Sequence, residues 1–491
     1  MNEIQKLRPI MFVGTGSDVG KSVINAAFCR IFLQDGYAPA PFKAQNMSLN
    51  SYATPDGLEM GRAQVVQAEA CGIECQVEMN PVLLKPTSNM SAQVVLNGKP
   101  IGEQSAYEYF QINDREPLFQ AAMEGYQTLA DKYNPVVIEG AGSISEVNLR
   151  EKDITNMRVA LAIQADTYLI ADINKGGVFG SVYGTLELLP PEERKLIKGI
   201  IINKFRGDMR VFEDGKKMLE DLVGVPVVSV IPYFRDIHVD DEDSVCLEKK
   251  QGGMTNDQVN VVVVLLQHMS NFTDFNALER VPEINLFYTH DKRDILDADI
   301  VILPGSKNTM GDLYHLRKAG LAQAILDAHA QGTAVYGVCG GFQMMGESIH
   351  DPCHVEGETE SMPGLGLLPI KTVLAEEKVT LQRRFRFLNT DGWCEGYEIH
   401  MGESFSGDPS ALCEFEGGEE DGYFENTKTW GTYIHGIFDN TSVVREMIRA
   451  VSDKEMKPFD LKVYKNEQYD KLADLVRSHS DVEAIYTSLL R

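Results

Sequence analysis

Between Ile10 and Leu33 the chain sets a short apolar strand, a glycine-rich turn and a helix in immediate succession, and this order constrains the fold most tightly. The strand is Ile10 to Val13, the helix opens near Lys21 and stops at Gly36, and the turn reads Gly14-Thr15-Gly16-Ser17-Asp18-Val19-Gly20-Lys21-Ser22. A strand that feeds a helix through glycines presents consecutive backbone N–H groups at the helix's positive end, which suits phosphate oxygens. Lys21 is placed to reach the β and γ oxygens of a nucleotide, and Ser22 to help hold Mg²⁺. Gly14 and Gly20 enclose five residues, one more than the common spacing, so the loop is a variant.

Further strands repeat the pattern. Ala38 to Phe42 delivers Lys43, Gln45 and Asn46 to its C-terminal end, where ligands gather in open α/β sheets; a solvated loop is the competing reading. Pro135 to Ile138 ends in Glu139, a natural Mg²⁺ ligand beside a phosphate loop. Thr167 to Ala171 ends in Asp172, Gly199 to Ile202 in Asn203-Lys204, and Val225 to Ile231 closes the unit. An Asn-Lys pair so late in such a unit reads as a nucleotide-base contact, which places Asn203 with the loop residues. Strands alternating with helical stretches predict a mostly parallel, doubly wound sheet.

A charged, glycine-containing stretch then interrupts the periodicity, with 246–258 as linker, and Val259 to Leu266 starts a second α/β core. Here Thr333 to Val338 runs into Gly-Val-Cys-Gly-Gly and an apolar helical segment, so Cys339 occupies a sharp strand-to-helix turn. Flanking glycines permit a strained elbow and close substrate approach, and a helix N-terminus favours the thiolate. A buried structural thiol is the alternative. A cysteine nucleophile needs a base and oxyanion donors. His435, in Tyr-Ile-His-Gly, can project from a strand end; Gly305, at the tip of Ile300 to Leu303, and Gly340 can donate N–H groups. Leu313 to Ala330 reads as one helix, and 353–440 as short alternating segments with glycine turns.

Composition narrows the classes. The 491 residues are 43% hydrophobic and 24% charged, with a formal net charge of −26 and no basic cluster to neutralise a phosphate backbone, so no nucleic-acid partner is expected. Apolar runs are too short to span a bilayer, the N-terminus does not read as a signal peptide, and eight scattered cysteines fit a reduced, cytoplasmic setting.

The motifs carry a resemblance. Leu303-Pro304-Gly305-Ser306-Lys307, Gly337-Val338-Cys339-Gly340-Gly341 and Tyr433-Ile434-His435-Gly436 together look like a class I glutamine amidotransferase domain, of the variant that amidates cobalamin precursors. The loop from Gly14 to Ser22 resembles the dethiobiotin-synthetase type of phosphate loop. Pro41 to Asn50, Glu139 to Ser143 and Ala171 to Gly180 resemble the cobyric acid synthase family in particular. The resemblance spans about Ile10 to Asn440. Most class I glutaminases carry a glutamate two residues after the base; here that position is Ile437, which leaves the group that orients His435 open, with Glu398 and Glu403 as candidates.

The resemblance implies an α/β chain with an ATP-binding amidoligase domain over 1–245, a glutaminase domain over 259–447, and a helical tail over 448–491 packed on the second domain. It implies ATP and Mg²⁺ as cofactors, and L-glutamine and a corrinoid, adenosylcobyrinic acid a,c-diamide, as substrates. Cys339 and His435 are then catalytic, Gly305 and Gly340 oxyanion donors, and Ser22 and Glu139 the metal ligands. Lys43, Gln45, Asn46 and Asp172 fall on the acyl-phosphate and corrinoid side. Sister enzymes that amidate the a and c carboxylates or a cell-wall precursor remain alternatives, as does a phosphate-loop ATPase switch of the partitioning type with a buried Cys339. Oligomeric state is left open.

Overall fold

The structure, a computed structural model, describes residues 5–87, 91–105, 107–109, 114–240, 252–388, 390–408, 410–457 and 459–490. It divides into two units: Met1–Met47, Glu59–Asp240 and Lys462–Arg491 form the first, Ser48–Leu58 and Asp241–Leu461 the second.

The first unit is built on a six-stranded parallel sheet. In spatial order its strands are Val227–Pro232, Ile197–Phe205, Asp166–Asp172, Ile10–Gly14, Val136–Glu139 and Ala40–Phe42. The central strand Ile10–Gly14 is buried throughout, as an apolar run in a doubly covered sheet must be. The helix Lys21–Gln34 follows it and packs Ile24, Phe28, Ile31 and Phe32 into the core. A separate four-stranded sheet holds Gln45–Met47, Val82–Pro86, Ser91–Leu96 and Lys99–Ser105.

The second unit repeats the principle with five parallel strands and an antiparallel edge. Their order is Ile284–Thr289, Val259–Val264, Ile300–Leu303, Ala334–Val338, Thr429–Thr432 and Tyr423–Asn426. Strand limits in both sheets fall within three residues of those expected from sequence.

Several expectations are corrected. The tail helices Leu461–Ser478 and Val482–Leu489 do not pack on the second unit: Tyr469, Leu472, Ala473 and Val476 enter the first unit's core beside Phe28 and Phe32. Asp470 there pairs with Arg30 at 2.7 Å, and the Tyr469 hydroxyl donates to Glu69 at 2.7 Å. An apolar stripe of helical period says that a tail docks but carries no address. Conversely, Ser48–Leu58, expected within the first domain, belongs to the second unit. The expected helix Leu313 to Ala330 is two helices, Thr309–Ala319 and Leu321–Ala330, because Gly320 takes φ +73° between them. Rather than short segments, 353–440 contains a long antiparallel pair, Ile370–Phe387 with Cys394–Ser406; charged runs such as Glu376-Glu377-Lys378 hide its alternation, and its register shifts between Leu374 and Val379. The expected linker 246–258 lies partly outside the described residues.

Candidate active site

Cys339 sits where the sequence puts the elbow, between the strand Ala334–Val338 and the helix Gly340–Met345. Its φ of 51° and ψ of −109° fall in a region that non-glycine residues rarely occupy, at a cost of about 1–3 kcal/mol. The surroundings hold the strain in place. The Cys339 N–H donates to the Thr432 carbonyl at 2.8 Å, and its own carbonyl accepts from Gln343 N at 3.0 Å. Directly after it, a Cβ on Gly341 would lie 1.9 Å from the Leu303 carbonyl oxygen, and one on Gly340 2.8 Å from Ser306 N. Only glycines let the elbow lie this close to the loop that carries Gly305.

His435 ends the strand Ile434–His435, which pairs antiparallel with Tyr397 and Glu398. The imidazole is buried and meets an acid that sequence reasoning missed: Asp274 Oδ2 lies 2.7 Å from His435 Nδ1, and Asp274 Oδ1 accepts from Gly436 N at 2.9 Å. One carboxylate thus fixes both the ring and the backbone beside it, leaving Nε2 for the Cys339 thiol, with which the ring hydrogen-bonds. Burial alone would lower the His435 pKa; the Asp274 carboxylate and Cys339 outweigh it and push the value up to about 10. Neither residue expected as orienter serves. Glu398 is held by Arg383 and His400, and Glu403 is exposed on the hairpin. Gly305 does reach the site: a Cβ there would stand 3.3 Å from His435 Cε1. Its loop is pinned by Asp312, which accepts from Ser306 Oγ at 2.6 Å and lies 3.0 Å from His268 Nδ1.

In the first unit the expected loop residues converge. Lys21 Nζ donates to the carbonyls of Gly16 (3.0 Å) and Gly142 (2.9 Å), while Ser22 Oγ donates to Glu139 Oε1 at 2.8 Å. Glu139 is buried and also receives Lys43 Nζ at 3.0 Å and Gln67 Nε2 at 2.6 Å. Ser22 and Glu139 offer the hard oxygen donors that Mg²⁺ takes, with Lys43 as a competing cation on the same carboxylate oxygen. On the loop's other flank Asn203 Nδ2 donates to the Val19 carbonyl at 2.8 Å, and Lys204 bonds the Asp18 carbonyl and pairs with Asp172 at 3.1 Å. Asn203 and Asp172 therefore brace Gly14–Ser22 and its Thr15, Ser17 and Gly20 backbone; in this arrangement the Asn203 amide is bonded to the loop. Lys43 lies with Glu139, whereas Asn46 bonds Gln64 and Gln45 accepts from Tyr109 and Arg115, inside the second sheet. Gln67 lies on the helix Arg62–Ala70, with no motif to mark it.

The comparisons with known proteins agree with this division. Residues 10–244 match a model described as the CobQ/CobB/MinD/ParA nucleotide binding domain, and residues 260–443 match the CobB/CobQ-like glutamine amidotransferase domain. The chain is 58% identical over 489 residues, 99% of both chains, to a cobyric acid synthase of Bacteroides fragilis. The chain belongs to the cobyric acid synthase family. Other members are similar over their whole length: that of Parabacteroides distasonis at 58% identity over 99% of each chain, and that of Syntrophobacter fumaroxidans at 46% over 98%. As a member of the cobyric acid synthase family it is a glutamine-dependent amidotransferase, a ligase with a nucleotide-binding domain. Among the described residues no helix is long and apolar enough to cross a membrane.

Proposed function

We propose that the chain uses ATP and glutamine to amidate the b, d, e and g side-chain carboxylates of adenosylcobyrinic acid a,c-diamide, giving cobyric acid. The observation that carries the nitrogen half of this reading is the buried line Asp274–His435–Cys339 at a strained elbow.

A His435 pKa near 10, with Cys339 as its partner, favours a thiolate–imidazolium pair at neutral pH. The thiolate attacks the side-chain amide carbon of glutamine, and the N–H groups at Gly305 and Gly340 are the assigned donors to the oxyanion. His435 Nε2 gives its proton to the departing nitrogen, ammonia leaves, and a γ-glutamyl thioester remains. Water then adds, with neutral His435 taking its proton, and glutamate is released. Asp274 keeps the Nδ1 proton in place throughout and so fixes the tautomer.

Ammonia does not displace oxide from a carboxylate, so the acceptor must be activated. The γ-phosphoryl group of ATP passes to the corrinoid carboxylate, ADP departs, and ammonia attacks the acyl phosphate with loss of phosphate. Lys21 and the loop N–H groups would bind the transferred phosphoryl group, and Lys43 lies close enough to Glu139 to follow it. Ser22 and Glu139 would hold Mg²⁺, which supplies charge neutralisation on the phosphates. The names of the relatives support the corrinoid as acceptor.

The test is mass spectrometry of the product formed from the a,c-diamide, ATP, Mg²⁺ and glutamine. Stepwise replacement of hydroxyl by amino groups at the b, d, e and g positions is expected. Conversion only when the a and c carboxylates are free would favour the sister reaction.

A further inference from the structure

Residues Ser48–Leu58 come from the first half of the sequence yet belong to the second unit, where they close on the supports of His435. Ser51 uses both of its backbone polar groups there. Its N–H donates to Asn271 Oδ1 at 3.2 Å, and its carbonyl accepts from the Tyr397 hydroxyl at 3.3 Å. Asn271 Nδ2 donates to that same hydroxyl oxygen at 3.3 Å. A phenol donates once and accepts readily, so the ring of hydrogen bonds among Ser51, Asn271 and Tyr397 is complete.

Each member leads to the catalytic histidine. Asn271 takes φ +50°, which Asn tolerates better than most residues, and its carbonyl accepts from Asp274 N at 3.0 Å, so it opens the turn that carries the orienting acid. Tyr397 stands opposite His435 in the strand pairing, and their rings stack with centroids 5.4 Å apart and planes 24° off parallel. The same strap continues along the hairpin. The Tyr52 ring lies 4.4 Å from that of Tyr397, and the Ala53 carbonyl accepts from Gln382 Nε2 at 3.0 Å. Ala53 is buried with Tyr397 and Ile399, and the Ile399 carbonyl is 3.6 Å from Cys339 Sγ.

Both flanks of the strap are fixed in the first unit. Gln45–Met47 runs parallel to Val82–Leu84, and Glu59 is paired in the interior with Lys85, on the same strand, at 2.7 Å. Lys43, Gln45 and Asn46, assigned to the acceptor side, immediately precede it. A buried peptide hydrogen-bonded on both edges passes a displacement of its flanks to its partners, and coupling between sites needs such an element with two arrangements.

We infer that Ser51–Ala53 is a positioning strap through which occupancy of the synthetase site sets the rate of glutamine hydrolysis, with Tyr397 and Asn271 as the positioning residues that receive it. This inference rests on the proposed division of labour between the two units.

The experiment measures glutamine hydrolysis by the full chain with and without ATP, Mg²⁺ and the corrinoid diamide, in the wild type, Tyr397→Phe and Asn271→Gly. Tyr397→Phe keeps the ring on His435 and removes its link to Ser51; Asn271→Gly suits the positive φ and removes the other link. The wild type is expected to respond within the range of about 5–150-fold typical of coupled sites, and both variants to lose most of that rise. The ratio of stimulated to unstimulated hydrolysis is the readout, since general weakening of the fold lowers both rates together. Hydrogen exchange on the wild type gives a second measure, with ATP and diamide expected to change exchange at 48–58 and 271–275. A ratio unchanged in both variants, a wild type that hydrolyses glutamine without responding, or unaltered exchange in the strap would each overturn the inference alone. A wild type that hydrolyses no glutamine under any condition would overturn the proposed function and this inference with it.

Discussion

Asp274 meets His435 across 161 positions of sequence, with Oδ2 2.7 Å from Nδ1 in the interior of the second unit. The position two residues after the histidine, where related glutaminases carry the orienting glutamate, holds Ile437, which is fully buried. The acid has therefore moved to another loop while the geometry around the base is kept.

Asp274→Asn leaves the shape nearly unchanged and removes the charge. Glutamine hydrolysis is expected to fall by about 10²–10⁴ in kcat, the usual worth of a positioned general base, while ammonium-driven amidation is retained. The pH dependence follows from the same pair. The folded His435 pKa, about 10, lies above the unfolded value of ~6.5, so ring protonation stabilises the fold fully below about pH 6.5 and progressively less as pH rises through about 10. With the carboxylate gone, burial dominates and the pKa drops, so this alkaline loss of stability should be much reduced. Thermal midpoints across that pH window check it.

Gly341→Ala tests the elbow's packing. The new methyl would stand 1.9 Å from the Leu303 carbonyl oxygen, a backbone atom that cannot swing aside. Overpacking of this kind costs about 1–3 kcal/mol or more, and the displaced elbow should lose glutamine hydrolysis by at least about tenfold. Ammonium-driven synthesis should persist; a steady-state comparison of the two nitrogen sources decides.

Lys21→Ala removes the cation between the Gly16 and Gly142 carbonyls. Amidation should then fail with glutamine and with ammonium alike, whereas unstimulated glutamine hydrolysis continues. Product formation with each nitrogen source, set against glutamate release, separates the two activities.

Leu472→Ala tests where the tail docks. Leu472 is fully buried in the first unit's core, so the truncation should cost about 2–5 kcal/mol there. Ammonium-driven amidation should lose heat tolerance, while glutamine hydrolysis should keep its own.

How much of this was legible beforehand depends on the range of the interaction. The phosphate loop and the cysteine elbow are local: strand, glycines and helix follow one another within a dozen residues, so backbone demands appear directly in the sequence. Glu139 and His435 were readable because each ends a buried strand and polar groups at strand ends face the site. Asp274 was not, since it sits on a one-turn 3₁₀ segment, Phe272–Phe275, that no periodicity announces. The tail and the strap were misplaced for a related reason. Their apolar residues specify burial, but only long-range partners such as Arg30 for Asp470, or Asn271 for Ser51, specify against what.

The central claim is that Cys339 supplies ammonia and the first unit uses it. Cys339→Ala, assayed for corrinoid amidation with glutamine and, in parallel, with an ammonium salt, tests it most directly. The expected result is loss of glutamine-driven product with ammonium-driven product retained near the wild-type rate. Glutamine-driven amidation that survives the substitution, or loss of both in a folded variant, would contradict it.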